Sequence, residues 1–149
     1  MKAYILGGLV IAGVLLTSVQ SSAHHSFAAE FDGTKRVKLT GIVTKVEWTN
    51  PHVWFYFNVK SAEKSPDGGK TWVADDKKGN WGAEMGPPHG LQRQGWRRES
   101  LKIGEEVTVV GSLAKNGTSR MNASQVTLAS TGGRPGQTLD AVSSQGQNP

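Results

Sequence analysis

The chain has 149 residues, a length that suits one domain, with a net charge of +5 and no cysteine. The lack of cysteine excludes disulfide staples, thiolate chemistry and cysteine-linked lipid. The mild basic excess is scattered through loop-like segments rather than gathered in a stripe, so no nucleic-acid partner is expected.

The first 23 residues read as a targeting segment. Met1-Lys2 gives a short positive start, Ala3 to Leu16 is apolar and uncharged, and Thr17 to Ala23 is small and polar, ending Ser21-Ser22-Ala23. That is the pattern of a secretory signal peptide over 1–23. The apolar run of about 14 residues falls short of the roughly 20 that cross a bilayer, so no stable membrane span is expected after cleavage. The mature protein is expected to be periplasmic or secreted.

Residues 24–36 read as an N-terminal arm that starts His24-His25-Ser26-Phe27, with Phe27 and Phe31 tucking it onto the body. From Val37 a strand alternation begins, and Gly41 inside it predicts a bulge or sharp bend. Thr49-Asn50-Pro51 ends the pairing, because Pro51 has no N–H and forces Asn50 toward extended geometry. The second strand, His52 to about Lys60, puts Val53, Phe55, Phe57 and Val59 on one face and His52, Trp54, Tyr56 and Asn58 on the other.

The polar 61–80 segment contains Ser65-Pro66-Asp67-Gly68-Gly69-Lys70-Thr71-Trp72. This follows the S-x-D-x-G-x-T-W pattern of the Asp-box, and it resembles the hairpin turn repeated in sialidase propellers. Ser65 and Asp67 are expected to bind turn amides, with Gly69 at positive φ and Trp72 packed over the hairpin. The motif reads as a folding staple, not a sugar site. Trp81 to Met85 is a short third strand, broken by Pro87-Pro88, and His89 to Trp96 is a short helix entered through the prolines, with Leu91 and Trp96 plugging one end of the body. A fourth strand carries Val107 and Val109 inward, Asn116-Gly117 marks a hairpin, and a fifth carries Val126 and Leu128. From Ser130 no apolar period survives, so 130–149 is expected to be a disordered tail. Together these give an all-β domain over 37–129: a five-stranded OB-fold-like barrel with one short helix between strands three and four.

His24-His25-Ser26-Phe27, Leu39-Thr40-Gly41, Glu47-Trp48-Thr49-Asn50-Pro51-His52-Val53-Trp54, Trp81 with Glu84-Met85-Gly86, Gly95-Trp96 and Val107-Thr108-Val109 together resemble the exported bacterial family DUF6152. The resemblance covers roughly 23–128. It implies an exported protein and brings no activity, since the family has none assigned.

Two kinds of binding chemistry are written in the chain. If cleavage follows Ala23, the His24 α-amine and imidazole, the His25 ring and His52 at the strand corner make a nitrogen set that suits copper(II) or another divalent metal. Alternatively Trp48, Trp54, Tyr56, Trp81 and Trp96, with Glu84 among them, form an aromatic face that takes a glycan, a peptide or a partner protein without metal, as OB-folds commonly do across strands two and three. No nucleophile triad, phosphate loop or H-E-x-x-H occurs, so no catalytic residue is assigned and a non-enzymatic binding module is expected.

Overall fold

The computed structural model describes residues 27–141. The signal peptide expected over 1–23, His24, His25 and residues 142–149 lie outside the described residues. The element order is α1 (Phe27–Glu30), β1 (Phe31–Glu47), β2 (Trp54–Lys64), β3 (Val73–Asp75), β4 (Gly79–Glu84), α2 (Pro88–Arg93), β5 (Glu106–Ala114), β6 (Arg120–Leu128) and β7 (Gln137–Asp140). The strands run β1-β5-β6-β4-β2, and pairing of β1 with β2 closes the run into a ring. Every pairing is antiparallel except β4 with β6.

Seven strands stand where five were expected. The added ones are short and lie off the ring, β3 on β2 and β7 on β6. Both were hidden by composition, since β3 offers only a three-residue ladder inside a polar loop and β7 sends a single large apolar side chain, Leu139, into the core. The expected disordered tail is therefore corrected over 130–141. Ala141 is fully buried, and its N–H donates to the Ser124 carbonyl while its own carbonyl accepts from Gly86 N–H. The arm expected over 24–36 is corrected as well, because β1 already begins at Phe31 and α1 precedes it.

The ring closes because its longest strand bends. The β1–β2 register shifts between Thr40 and Gly41, where a Cβ on Gly41 would lie 2.2 Å from the Asn58 carbonyl oxygen. No side chain fits there, so the glycine permits the approach that closure needs. Gly111 repeats the device on β5, with its Cβ position 2.2 Å from the Asn122 carbonyl oxygen beside a second register shift.

Inside the ring lie Val37, Leu39, Val43, Val53, Phe55, Phe57, Val107, Val109, Met121, Val126 and Leu128. Leu91 of α2 and Trp96 just after it join this core, as the pattern of the 89–96 segment predicts. The Asp-box turn holds as expected. Asp67 Oδ1 accepts from the N–H groups of Lys70 (3.0 Å) and Thr71 (2.8 Å), and Oδ2 accepts from the Thr71 hydroxyl (2.7 Å). The Thr71 amide and hydroxyl, helped by the Ser65 hydroxyl and Lys70 amide, hold the Asp67 carboxyl down at about 2 against the opposing effect of desolvation.

Candidate functional site

Paired residues on neighbouring strands point to the same side of a sheet. On the outside of the ring this makes one continuous row: Arg36 opposite Ser112, Ser112 opposite Asn122, Asn122 opposite Glu84, Glu84 opposite Trp54, and Trp54 opposite Glu47. The row leaves β1 at Arg36 and returns to it at Glu47, so the staggered closure of the ring gathers residues distant in sequence onto one belt. Tyr56 on the outer side of β2 and His52 at the corner before it flank the belt.

His52 sits at the corner before β2, after the cis Asn50–Pro51 peptide. The neighbouring backbone is tied to the end of β4, since Val53 N–H donates to the Gly86 carbonyl (3.1 Å) and Met85 N–H donates to the Val53 carbonyl (2.8 Å). This tie brings His52 Nδ1 against Glu84 Oε1 in a close hydrogen bond. The Glu84 side chain keeps 11% of its exposure and that of His52 24%, so the pair is sheltered on one side and open at the imidazole. An ionised carboxylate can only accept. Against an ionised Glu84, a neutral ring carries its proton on Nδ1 and keeps the lone pair on Nε2.

The aromatic part of the belt is built over a glycine. A Cβ on Gly82 would lie 3.2 Å from Tyr56 Cε1 and 3.6 Å from Trp54 Cζ3, so the bare backbone of β4 leaves room for both rings. Cations cover them. The Arg120 guanidinium lies 4.4 Å from the Trp54 ring centroid and Lys45 Nζ 5.3 Å from that of Tyr56. The Tyr56 hydroxyl donates to Glu47 Oε2 (3.3 Å), and Lys45 Nζ pairs with Glu47 Oε1 (2.5 Å). That lysine, by hydrogen bond and charge, keeps the Glu47 carboxyl below its ordinary value. Arg120 also lines a cavity of about 320 Å³ bounded by Ala29, Glu30, Lys115 and Asn116.

The expected site residues thus divide. Trp54, Tyr56, Glu84 and His52 are brought together on the outside. Trp48, Trp81 and Trp96 are not, because all three are buried in the core. The Trp96 indole N–H donates to the Asp140 carbonyl (2.7 Å) and that of Trp81 to the Lys78 carbonyl (3.1 Å), so their polar edges serve the fold. The aromatic face is corrected to Trp54 and Tyr56. For Trp81 the strand period carries the reason, since Trp81 and Ala83 oppose Phe57 and Phe55 and share their inward side. Sequence reasoning missed Gly82, Arg120 and Asn122. Their signal was present in the alternation Arg120, Asn122, Ser124 against the inward Met121 and Ala123.

The family model described as "Family of unknown function (DUF6152)" matches residues 12–123. The chain belongs to this family. The DUF6152 match takes in the belt residues from Arg36 on β1 to Asn122 on β6, and it brings no activity with it. No curated protein and no solved structure matches the chain. Among the described residues of this DUF6152 member, no three His, Asp or Glu side chains cluster as a metal site, and no helix is long and apolar enough to cross a membrane.

Proposed function

We propose that the chain is an exported, non-enzymatic binding module that takes copper(II), or another divalent metal, through His52 together with His24 and His25 of the processed N-terminus. The carrying observation is the His52–Glu84 pair. Histidines that hold metals characteristically give their second ring nitrogen to a carboxylate, which fixes the tautomer and aims the free lone pair. Glu84 does this for His52 and leaves Nε2 for a metal.

Two further features support the reading. The described chain starts at α1, whose Ala28 carbonyl accepts from Lys115 Nζ (2.6 Å) and whose Glu30 carbonyl accepts from Lys115 N–H (2.9 Å). Ala29 and Glu30 share their cavity with Arg120, the residue over Trp54, and three residues of extended chain reach about 10 Å from Phe27. The second is architecture. We read the ring as an OB-fold barrel, with β1, β2, β4, β5 and β6 as its five strands and α2 between the third and fourth, and in that fold ligands meet strands two and three. Those are β2 and β4, the strands that carry Trp54, Tyr56 and Glu84.

The test is copper(II) titration of the mature protein with an authentic N-terminus, beside a form with one added N-terminal alanine, His52→Ala and Glu84→Gln. The proposal expects the first to bind one equivalent tightly, the alanine-extended form and His52→Ala at least about tenfold more weakly, and Glu84→Gln about 10- to 100-fold more weakly. Equal weak binding by all four sinks it.

A second reading rests on Gly82 and the rings over it: Trp54 and Tyr56 meet a glycan, a peptide or a partner protein without metal. Quenching of Trp54 emission by such a ligand in the presence of a chelator, lost in Trp54→Phe, favours this reading over the first.

A further inference from the structure

Arg36 opens the outer belt, and its environment is unusual for a cation. Its Nη1 donates to the Ser112 hydroxyl (3.1 Å) and its Nη2 to the Ser124 hydroxyl (2.8 Å). Both acceptors are neutral. Among the described residues the ion pairs join other groups, and none includes Arg36. Burial pushes the guanidinium pKa down, the direction of a charge held without compensation. A guanidinium has five N–H donors, and two hydroxyl partners leave it both short of acceptors and short of negative charge.

The serines hold the guanidinium in a fixed place. Ser112 is almost wholly buried, with 1% exposure. The Ser124 hydroxyl donates to the Val110 carbonyl (3.0 Å), which turns its lone pairs toward Arg36. A cation oriented by spent hydroxyls is preorganised for an incoming acceptor, and planar guanidinium forks suit carboxylate, phosphate and sulfate oxygens. Asn122 completes the setting. It is the strand partner of Ser112 and the same-face neighbour of Ser124, and its half-buried side chain makes no hydrogen bond among the described residues.

We propose that Arg36, positioned by Ser112 and Ser124 and flanked by the Asn122 amide, is a binding site for an oxyanion. The belt runs from there through Asn122 and Glu84 to Trp54 around the outside of the ring, so the subsite stands four strand steps along it from the His52 and Trp54 region. The subsite does not depend on a metal at His52. A purely structural arginine on an exposed sheet face gains its keep through a carboxylate, and this one has none among the described residues.

The experiment follows the Arg36 Nε–Hε resonance of the full chain by NMR during titration with sodium sulfate, sodium phosphate and sodium acetate, against sodium chloride at matched ionic strength. The expected result is a saturable shift with at least one oxyanion and none with chloride, abolished in Arg36→Gln and about tenfold weaker in Asn122→Ala. Saturation by sulfate and phosphate but not acetate assigns a tetrahedral group, and the reverse assigns a carboxylate. Thermal melting separates binding from bracing. With its uncompensated charge removed, Arg36→Gln melts at or above the temperature of the unmodified protein, and oxyanions raise the melting temperature only while Arg36 is present. No saturable shift with any of the three anions overturns the proposal, as does a melting temperature several degrees lower in Arg36→Gln with no oxyanion dependence in the unmodified protein.

Discussion

Residues 52–57, the corner and the start of β2, alternate between two faces that obey different rules. Val53, Phe55 and Phe57 point inward and are completely buried among other apolar side chains. His52, Trp54 and Tyr56 point outward, each half-buried and each covered by one specific polar neighbour: Glu84, Arg120 and Lys45 respectively. The inner face is held by burial, which is non-directional and tolerates any apolar residue of the right volume. The outer face is held by pairs, which are directional and leave ring edges and lone pairs available. Apolar burial lies on one side and directional pairing on the other.

The comparison can be broken by substitution. Phe55→Ala removes a fully buried ring and is expected to destabilise the protein by about 3–5 kcal/mol in urea unfolding, without altering the surface pairs. His52→Ala leaves a sheltered Glu84 carboxylate without its partner and is expected to cost about 1–3 kcal/mol. The double variant with Glu84→Gln should recover part of that loss, and strict additivity of the two single changes would show that the pair is not coupled. Arg120→Ala uncovers Trp54 and is expected to cost about 0.5–1 kcal/mol, with a shift in tryptophan emission that Phe55→Ala does not reproduce.

The smallest effect is a pH dependence away from both faces. Asp67 has its folded pKa depressed from 3.8 to about 2. Between those values the unfolded chain binds more protons than the folded one, so the contribution of Asp67 is complete above the unfolded pKa and is lost as pH falls through about 2. The Thr71 amide resonance should titrate in that window, and Asp67→Asn should remove the titration. A midpoint near 4 would show that the turn bonds do not favour the ionised form.

The ring was legible where one physical rule dominated. The period of two in Val53, Phe55 and Phe57, the glycine bend at Gly41 and the Asn116-Gly117 turn each acts locally, and each appears as expected. Trp48, Trp81 and Trp96 are absent from the outer face, although the 89–96 pattern already points Trp96 inward, because aromatic content does not say which way a ring faces. That is set by register for Trp81, which opposes Phe57, and by the loop after α2 for Trp96, whose indole N–H finds the Asp140 carbonyl. The belt was legible only in fragments. Arg36, Ser112, Asn122 and Glu84 share no sequence neighbourhood, and closure of the ring alone aligns them.

The burial of Ala141 bears on the order in which the protein can be completed. Synthesis makes β7 after the other six strands, yet Leu139 enters the core, the Asp140 carbonyl holds Trp96, and Ala141 bonds the corner after β4. An emerging chain therefore lacks the piece that seats Trp96 until β7 has followed the six earlier strands. These contacts form after the ring strands are made, and a chain truncated before Gln137 should remain open to proteases that the chain carrying β7 resists.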